Sequence, residues 1–161
     1  MEKVYIKKSK IAGKGIFANH NIKKNETILI FSGKVVKDSY GPNYQIGSKW
    51  LGIGKCVWLN ISKDNPGRFT NHSCNPNAGF NGNRTLVAMK NIKKNEEITF
   101  NYSITEDDPY WKMKCSCRSK NCRKTIRSIR FLPNNLFQKY KLFIPKWLQK
   151  SYLQSPALKI T

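Results

Sequence analysis

Four short segments of this 161-residue chain concentrate the residue types that do chemistry. Cys115-x-Cys117-x4-Cys122 has the spacing of metal ligands but is one thiolate short of a tetrahedral set. Arg68 to Ala78 gathers Asn71, His72, Ser73, Cys74, Asn75 and Asn77 into one polar run. Polar groups at that density must satisfy one another; taken alone, the run reads as a surface loop with a single histidine. Gly13-Lys14-Gly15 is a glycine turn feeding the apolar residues Ile16-Phe17-Ala18, and it lets backbone approach a ligand closely. Glu97-Ile98-Thr99-Phe100-Asn101-Tyr102 reads as a strand that ends with two aromatics on one face, because residues i and i+2 point the same way.

The five cysteines fit no closed disulfide framework, since their number is odd. Cys56 lies in the apolar stretch Cys56-Val57-Trp58-Leu59 and reads as a buried strand residue. The other four, Cys74, Cys115, Cys117 and Cys122, suit one tetrahedral zinc site in a reducing, intracellular compartment.

The elements that must position these groups are mostly short strands. Val4 to Lys7 alternates, 27–31 is a continuous β-rich run, and 84–90 and 97–102 read as strands. Glycines punctuate the first half, which favours small curved sheets over a helical bundle. Residues 61–82 read as loop. Asn21-Ile22-Lys23-Lys24-Asn25-Glu26 and Asn91-Ile92-Lys93-Lys94-Asn95-Glu96 echo each other and read as one turn type used twice, each leading into a strand. After Pro133, residues 134–143 and 146–153 suit two short amphipathic helices, with Leu136, Phe137 and Tyr140 on one and Trp147, Leu148 and Tyr152 on the other.

Composition bounds the classes. Hydrophobic residues at 39% support a modest core, and no apolar run approaches the ~20 residues of a membrane span. Thirty Lys and Arg against nine Asp and Glu give a net charge of +21. Two explanations stand equally: affinity for a polyanion such as nucleic acid, or the Lys-, Asn- and Ile-rich drift of an AT-rich genome. Glu106-Asp107-Asp108 is an acidic cluster in this basic chain, read either as a lure for a basic peptide or as a solvated connector.

In this order the segments closely resemble the SET-domain protein lysine methyltransferases. The resemblance runs from about residue 4 to 126 and covers the Gly-x-Gly strand, the Asn-His-Ser-Cys-x-Pro-Asn motif, the Glu-x-x-Phe-x-Tyr strand and a three-cysteine post-SET motif. It implies a mainly β fold of small curved sheets around a threaded, knot-like segment that sets Asn71-His72 beside Tyr102. It also implies a SET domain over 1–103, a zinc-binding post-SET segment over 111–127, and a basic, aromatic, short-helical tail over 128–161. The implied cofactor is S-adenosylmethionine. Backbone at Gly13, Lys14 and Gly15 would hold its methionine end, Asn71 and His72 its amino group and adenine, Tyr102 would meet the methyl, and Ile126 would cover the adenine. Cys74 would complete a structural zinc site with Cys115, Cys117 and Cys122.

The implied reaction is in-line methyl transfer from a sulfonium to a lysine amine. Tyr102 would be the catalytic residue, orienting the amine. Phe100 and Tyr44 would line the lysine channel, and phenylalanine at 100 implies di- or trimethylation. Two positions depart from the family pattern: Asn101 where Asp is usual, and Lys34 where many members carry Glu. The implied substrate is a histone or another basic, DNA-associated protein. Contact with DNA or chromatin would accompany it, in the cytoplasm, at chromatin, or in a host nucleus for a pathogen's enzyme. The competing expectation is a catalytically silent, zinc-stabilised module that docks on nucleic acid. Methylation of a small molecule or a ribosomal protein is a third.

Overall fold

The computed structural model describes residues 2–38 and 49–155. Tyr44 lies outside the described residues. Twelve strands are described, in four small sheets, with two short helices at the end of the chain.

β1 (Val4–Lys8) and β2 (Lys14–Ala18) form an antiparallel hairpin, and β2 continues onto β10 (Glu97–Phe100). The far side of β10 pairs with the two-residue strand β7 (Asn71–His72), which runs parallel to it: Thr99 faces Asn71 and Phe100 faces His72. A late strand is thus inserted between an early one and the polar motif, as the threaded arrangement requires. A parallel pair cannot be closed by a tight turn, so the polar motif reaches β10 through a long excursion.

Two further sheets are described, and the strands that lie within that excursion belong to the first of them. β3 (Thr27–Ile30), β9 (Thr85–Ala88) and β8 (Ala78–Asn81) form one, in the order β3-β9-β8. β4 (Gly33–Lys37), β6 (Val57–Ile61) and β5 (Trp50–Gly54) form the other, in the order β4-β6-β5. β7 and β8 fall inside the stretch 61–82 that the sequence suggests is loop. Apart from Phe80 their residues are polar or small, so neither alternation nor β-branching marks them. Phe31, Phe80 and Phe100 join the sheets at the centre. The Phe80 and Phe100 rings lie edge-on at 5.2 Å, and Phe31 stacks on Phe80 at 5.7 Å.

Cys56 is exposed in the β5–β6 turn with φ +55°, not buried in a strand. The tight reversal between Gly54 and Val57 demands a left-handed residue there, and this outweighs the apolar neighbours.

The echoed hexapeptides pair with each other about a local two-fold. Lys24 N–H donates to Asn91 Oδ1 and Lys94 N–H to Asn21 Oδ1; Ile22 and Ile92 bridge. Within each turn the Glu side chain accepts the N–H of the first Lys, and Asn25 and Asn95 take φ of 68° and 67°. Each Asn occupies the left-handed position that Asn tolerates best after glycine.

β11 (Lys112–Lys114) and β12 (Thr125–Arg127) form a separate hairpin whose connection carries three cysteines. The tail then folds back as α1 (Asn134–Tyr140) and α2 (Lys146–Leu153), each begun by a proline. Phe137 stacks on Tyr152 with ring centroids 3.8 Å apart, and Leu148 and Tyr140 are buried with them. The apolar faces of the tail therefore pack on the chain itself.

Candidate active site

Tyr102 follows β10 at the start of a 3₁₀ turn, Tyr102–Thr105. Asn101 caps that turn by accepting the Ser103 N–H. The cap redirects the chain so that Tyr102 stays beside Phe100, with ring centroids 5.0 Å apart. On its other side Tyr102 meets His72: the rings are 5.4 Å apart, and the Tyr102 N–H donates to His72 Nδ1 at 3.0 Å. The Tyr102 hydroxyl donates to the Thr70 carbonyl at 2.8 Å. Burial pushes its pKa up to about 12, so it stays a phenol at any working pH.

Tyr102 and Phe100 line one cavity of ≈ 230 Å³. Trp50, Trp58, Trp111 and Met113 supply much of its apolar wall, and Glu106 is its one carboxylate. The cavity suits a long apolar side chain ending in a polar group. No local sequence pattern marks this wall, because its three tryptophans come from β5, β6 and the approach to β11. The indole N–H groups of Trp50 and Trp58 are buried without an acceptor among the described residues.

Gly13, Lys14, Gly15, Asn71, His72 and Ile126 are not part of that lining. The first four meet at a second place, on the β2–β7 side of Tyr102. Asn71 Nδ2 donates to the carbonyls of Ala12 and Lys14 and to Glu97 Oε1. Gly13 has φ +48°, and a Cβ on Gly15 would lie 2.4 Å from Glu97 Oε1. Glycine at 15 is thus what lets Glu97 reach Asn71 and Ser9. Asn71 Oδ1 accepts no hydrogen bond among the described residues. Ile126 is fully buried on β12 opposite Met113.

His72 is buried, and burial together with the Arg123 cation lowers its pKa to about 3, so the ring is neutral. Its Nδ1 accepts the Tyr102 N–H, so Nε2 carries the hydrogen. That nitrogen lies 3.3 Å from Cys74 Sγ. Both ring nitrogens are therefore committed, and any hydrogen bond from residue 72 to a cofactor falls to its backbone.

Beyond His72 lies a cysteine cluster. The donor atoms of His72, Cys74, Cys115 and Cys117 all lie within 4.8 Å of one another. Cys74 and Cys115 sulfurs are 3.8 Å apart. Two thiolates bound tetrahedrally to one zinc at ~2.3 Å lie about 3.8 Å apart, so the spacing fits. Backbone N–H groups aim at the sulfurs: Cys74 at Cys117, Arg123 at Cys74, and Lys124 at Cys122. Burial opposes ionisation of Cys117, but the Ser119 hydroxyl and nearby N–H groups outweigh it and bring its pKa to about 6. Burial pushes the Cys115 thiol up. Cys122 lies beside Cys115, its sulfur 3.9 Å from the Cys115 carbonyl. These donors have the chemistry to hold one soft metal ion.

Arg123 ties the cluster to the turn that begins at Tyr102. It donates to Asn101 Oδ1 at 2.7 Å and to Ser103 Oγ at 3.3 Å. Asn101 is fully buried, and its Nδ2 and the Arg123 Nε are both buried without an acceptor among the described residues. An aspartate would replace one orphaned donor with an acceptor for the other and form a charge-assisted fork. Asn101→Asp is therefore expected to stabilise the protein by about 1–2 kcal/mol. Thermal melts check this; a lower melting temperature would contradict it.

A profile of the SET domain matches residues 13–103. Human histone-lysine N-methyltransferase 2B is 30% identical over 78% of the chain, which spans 5% of that relative. Arabidopsis thaliana histone-lysine N-methyltransferase ASHR3 is 28% identical over 84% of the chain, which spans 30% of it. The H3 lysine-4 specific histone-lysine N-methyltransferase of Schizosaccharomyces pombe is 30% identical over 71% of the chain, which spans 14% of it. The chain thus covers less than a third of the length of each of these curated relatives. Among solved structures, a humanized mutant of Chaetomium thermophilum Polycomb Repressive Complex 2 shares the fold, with a TM-score of 0.55 at 24% identity. That match covers 63% of this chain and 15% of that one. The profile match takes in more than half of the chain, including the glycine turn, the polar motif and the tyrosine-ended strand, and the protein belongs to the SET-domain family.

Proposed function

We propose that the protein is an S-adenosylmethionine-dependent protein-lysine N-methyltransferase. The observation that carries this reading is Tyr102. It stands between a narrow aromatic cavity sized for a lysine side chain and the Gly13–Gly15 turn laced to Asn71. Bound at that turn, S-adenosylmethionine would supply a methyl group on a sulfonium. Backbone at Gly13, Lys14 and Gly15, with Asn71 Oδ1, would hold its charged end. The residue 72 backbone and Ile126 would take the adenine side.

The chain's own part is alignment and desolvation. A lysine ammonium has no lone pair and must lose a proton before it can attack. The tryptophan-lined cavity strips water from the cation and so lowers its pKa. Tyr102 spends its only hydrogen on Thr70, which leaves its oxygen lone pairs for the amine hydrogens and the partly positive methyl.

Phe100 packs edge-on against Phe80 and presents no hydroxyl to the cavity. We infer di- or trimethylation from the room this leaves. Mass spectrometry of histones incubated with the protein and S-adenosylmethionine is expected to find di- and trimethyl-lysine. Phe100→Tyr is expected to shift the products to monomethyl-lysine. Only monomethyl product from the wild type at full turnover would sink the reading.

Zinc would be held by four thiolates, those of Cys74, Cys115, Cys117 and Cys122. His72 would donate Nε2–H to the Cys74 sulfur and would not itself ligate. A closed four-thiolate site leaves no open position, so its role would be structural. It would bind the segment 111–127 to the domain 1–103 and place Trp111 and Met113 on the cavity.

Residues 109–161 hold thirteen Lys and Arg and no Asp or Glu. Lys112, Lys114, Arg118, Lys120, Lys124 and Arg127 are all exposed around the β11–β12 hairpin. Lys112 stands directly opposite Arg127, a like-charge pair that costs stability. This face would repel a free histone tail and attract phosphates, which favours a basic protein presented on DNA, at chromatin, as substrate.

A further inference from the structure

Among the described residues, Glu106 is the only carboxylate that lines the Tyr102 cavity. It is buried, at 7% exposure. One oxygen, Oε1, accepts the N–H groups of Asp107 and Asp108, which fixes the side chain. Oε2 makes no hydrogen bond among the described residues. The Glu106 carbonyl is itself held by the Ile129 N–H, so the backbone is anchored as well. The neighbours of this held carboxylate satisfy only one of its two oxygens, and the other is left as an acceptor for a cation that enters the cavity.

We propose that Glu106 receives the ammonium of the substrate lysine in this cavity and accepts the proton that the amine must lose before methyl transfer. The inference rests on the methyltransferase reading above. In this step an ammonium N–H bond breaks, its electron pair stays on nitrogen, and an O–H bond forms on Glu106 Oε2. The freed pair then takes the methyl, and the S–C pair returns to sulfur. Proton transfer turns a buried ion pair into two neutral groups, which a dry cavity favours. It also removes the positive charge from beside the sulfonium.

Other charged groups bear on Glu106. Lys49, ahead of β5, and Arg68, in the 3₁₀ turn Pro66–Phe69, line the same cavity. Both would repel an incoming ammonium and so oppose its protonated form. Asp107 and Asp108 lie next in the chain, and Asp107 is paired with Arg130. Met113 is the β11 contribution, and its neighbours Lys112 and Lys114 point to solvent. Burial raises the Glu106 pKa to about 7, against the backbone N–H groups of Asp108 and Asp107, which lower it, and with a smaller upward push from their two charges. A base with that value exchanges protons readily at neutral pH.

Glu106→Gln tests the proposal, because its amide oxygen can keep the two N–H contacts while losing basicity. Methyl transfer from labelled S-adenosylmethionine to core histones and nucleosomes is measured for wild type, Tyr102→Phe and Glu106→Gln. At about pH 7, Glu106→Gln is expected to lose a hundredfold or more in kcat. The gap should narrow at least tenfold by about pH 10, where free amine forms without help. A loss under threefold at neutral pH, or a loss of the same size at every pH, overturns the proposal.

Stability gives a second readout. The carboxyl pKa is raised above its unfolded value, so stability falls as pH rises from about 4.5 through about 7. Glutamine removes that loss, so at about pH 8 the variant should melt no lower than wild type. A much lower melting temperature shows a structural role and also overturns the proposal. If wild type transfers no methyl at all, the methyltransferase reading falls and takes this proposal with it. A wild type that is active with a fully active Glu106→Gln removes this proposal alone.

Discussion

Tyr102→Phe is expected to cut methyl transfer about a hundred- to a thousand-fold while the protein still folds. The argument lies in how the hydroxyl is used. Its hydrogen goes to the Thr70 carbonyl at 2.8 Å, and its backbone N–H is tied to His72 Nδ1 at 3.0 Å. Phenylalanine keeps the ring, its packing on Phe100 and the backbone tie. It removes only the oxygen that would face the amine in the proposed reaction, and it leaves the Thr70 carbonyl without that donor. The stability cost should be about 1 kcal/mol. The rate loss should fall on kcat more than on KM, because the oxygen matters most when charge spreads over the transferring methyl. Calorimetric binding of S-adenosylmethionine should survive in the variant. A Tyr102→Phe protein with wild-type kcat would show that the hydroxyl only holds Thr70.

The second large effect concerns the cysteine cluster. Cys117→Ser or Cys122→Ser is expected to abolish zinc binding and lower the melting temperature on the order of 10 °C. Activity should fall with it, because three parts depend on the hairpin. Trp111 and Met113 wall the cavity, and Arg123 clamps Asn101 at the start of the Tyr102 turn. His72→Gln separates the two possible fourth ligands. Since Nε2 carries a hydrogen aimed at Cys74, this variant should keep its zinc. Metal analysis of the purified variants decides the matter. Zinc retained in Cys122→Ser but lost in His72→Gln would make the histidine the ligand.

Much of this site was legible before the fold was known. The polar motif places Asn71 and His72 against β10, and the two aromatics Phe100 and Tyr102 do share a side. The echoed turns and the apolar faces of the tail helices also follow from residue type alone, because Asn at the left-handed position and Phe137, Tyr140, Leu148 and Tyr152 at helical spacing leave few alternatives. Cys56 was misread because an apolar flank says nothing about the φ of a tight turn. β8 escaped notice because a strand buried on both faces needs no alternation. The tryptophan wall and the Arg123–Asn101 clamp were out of reach for another reason. Each is a contact between segments distant in the chain, and a single sequence records no such pairing. The departure at Asn101 was visible, yet its consequence, two orphaned N–H groups, needed the position of Arg123.

The most direct test of the central claim is transfer of labelled methyl from S-adenosylmethionine to core histones, nucleosomes and a cell lysate by zinc-replete protein. The labelled product should be lysine, nucleosomes should exceed free histones at low salt, and Tyr102→Phe should remove the signal. Failure of the wild-type protein to bind S-adenosylmethionine by calorimetry, together with no labelled lysine in any of the three substrates, would contradict the account.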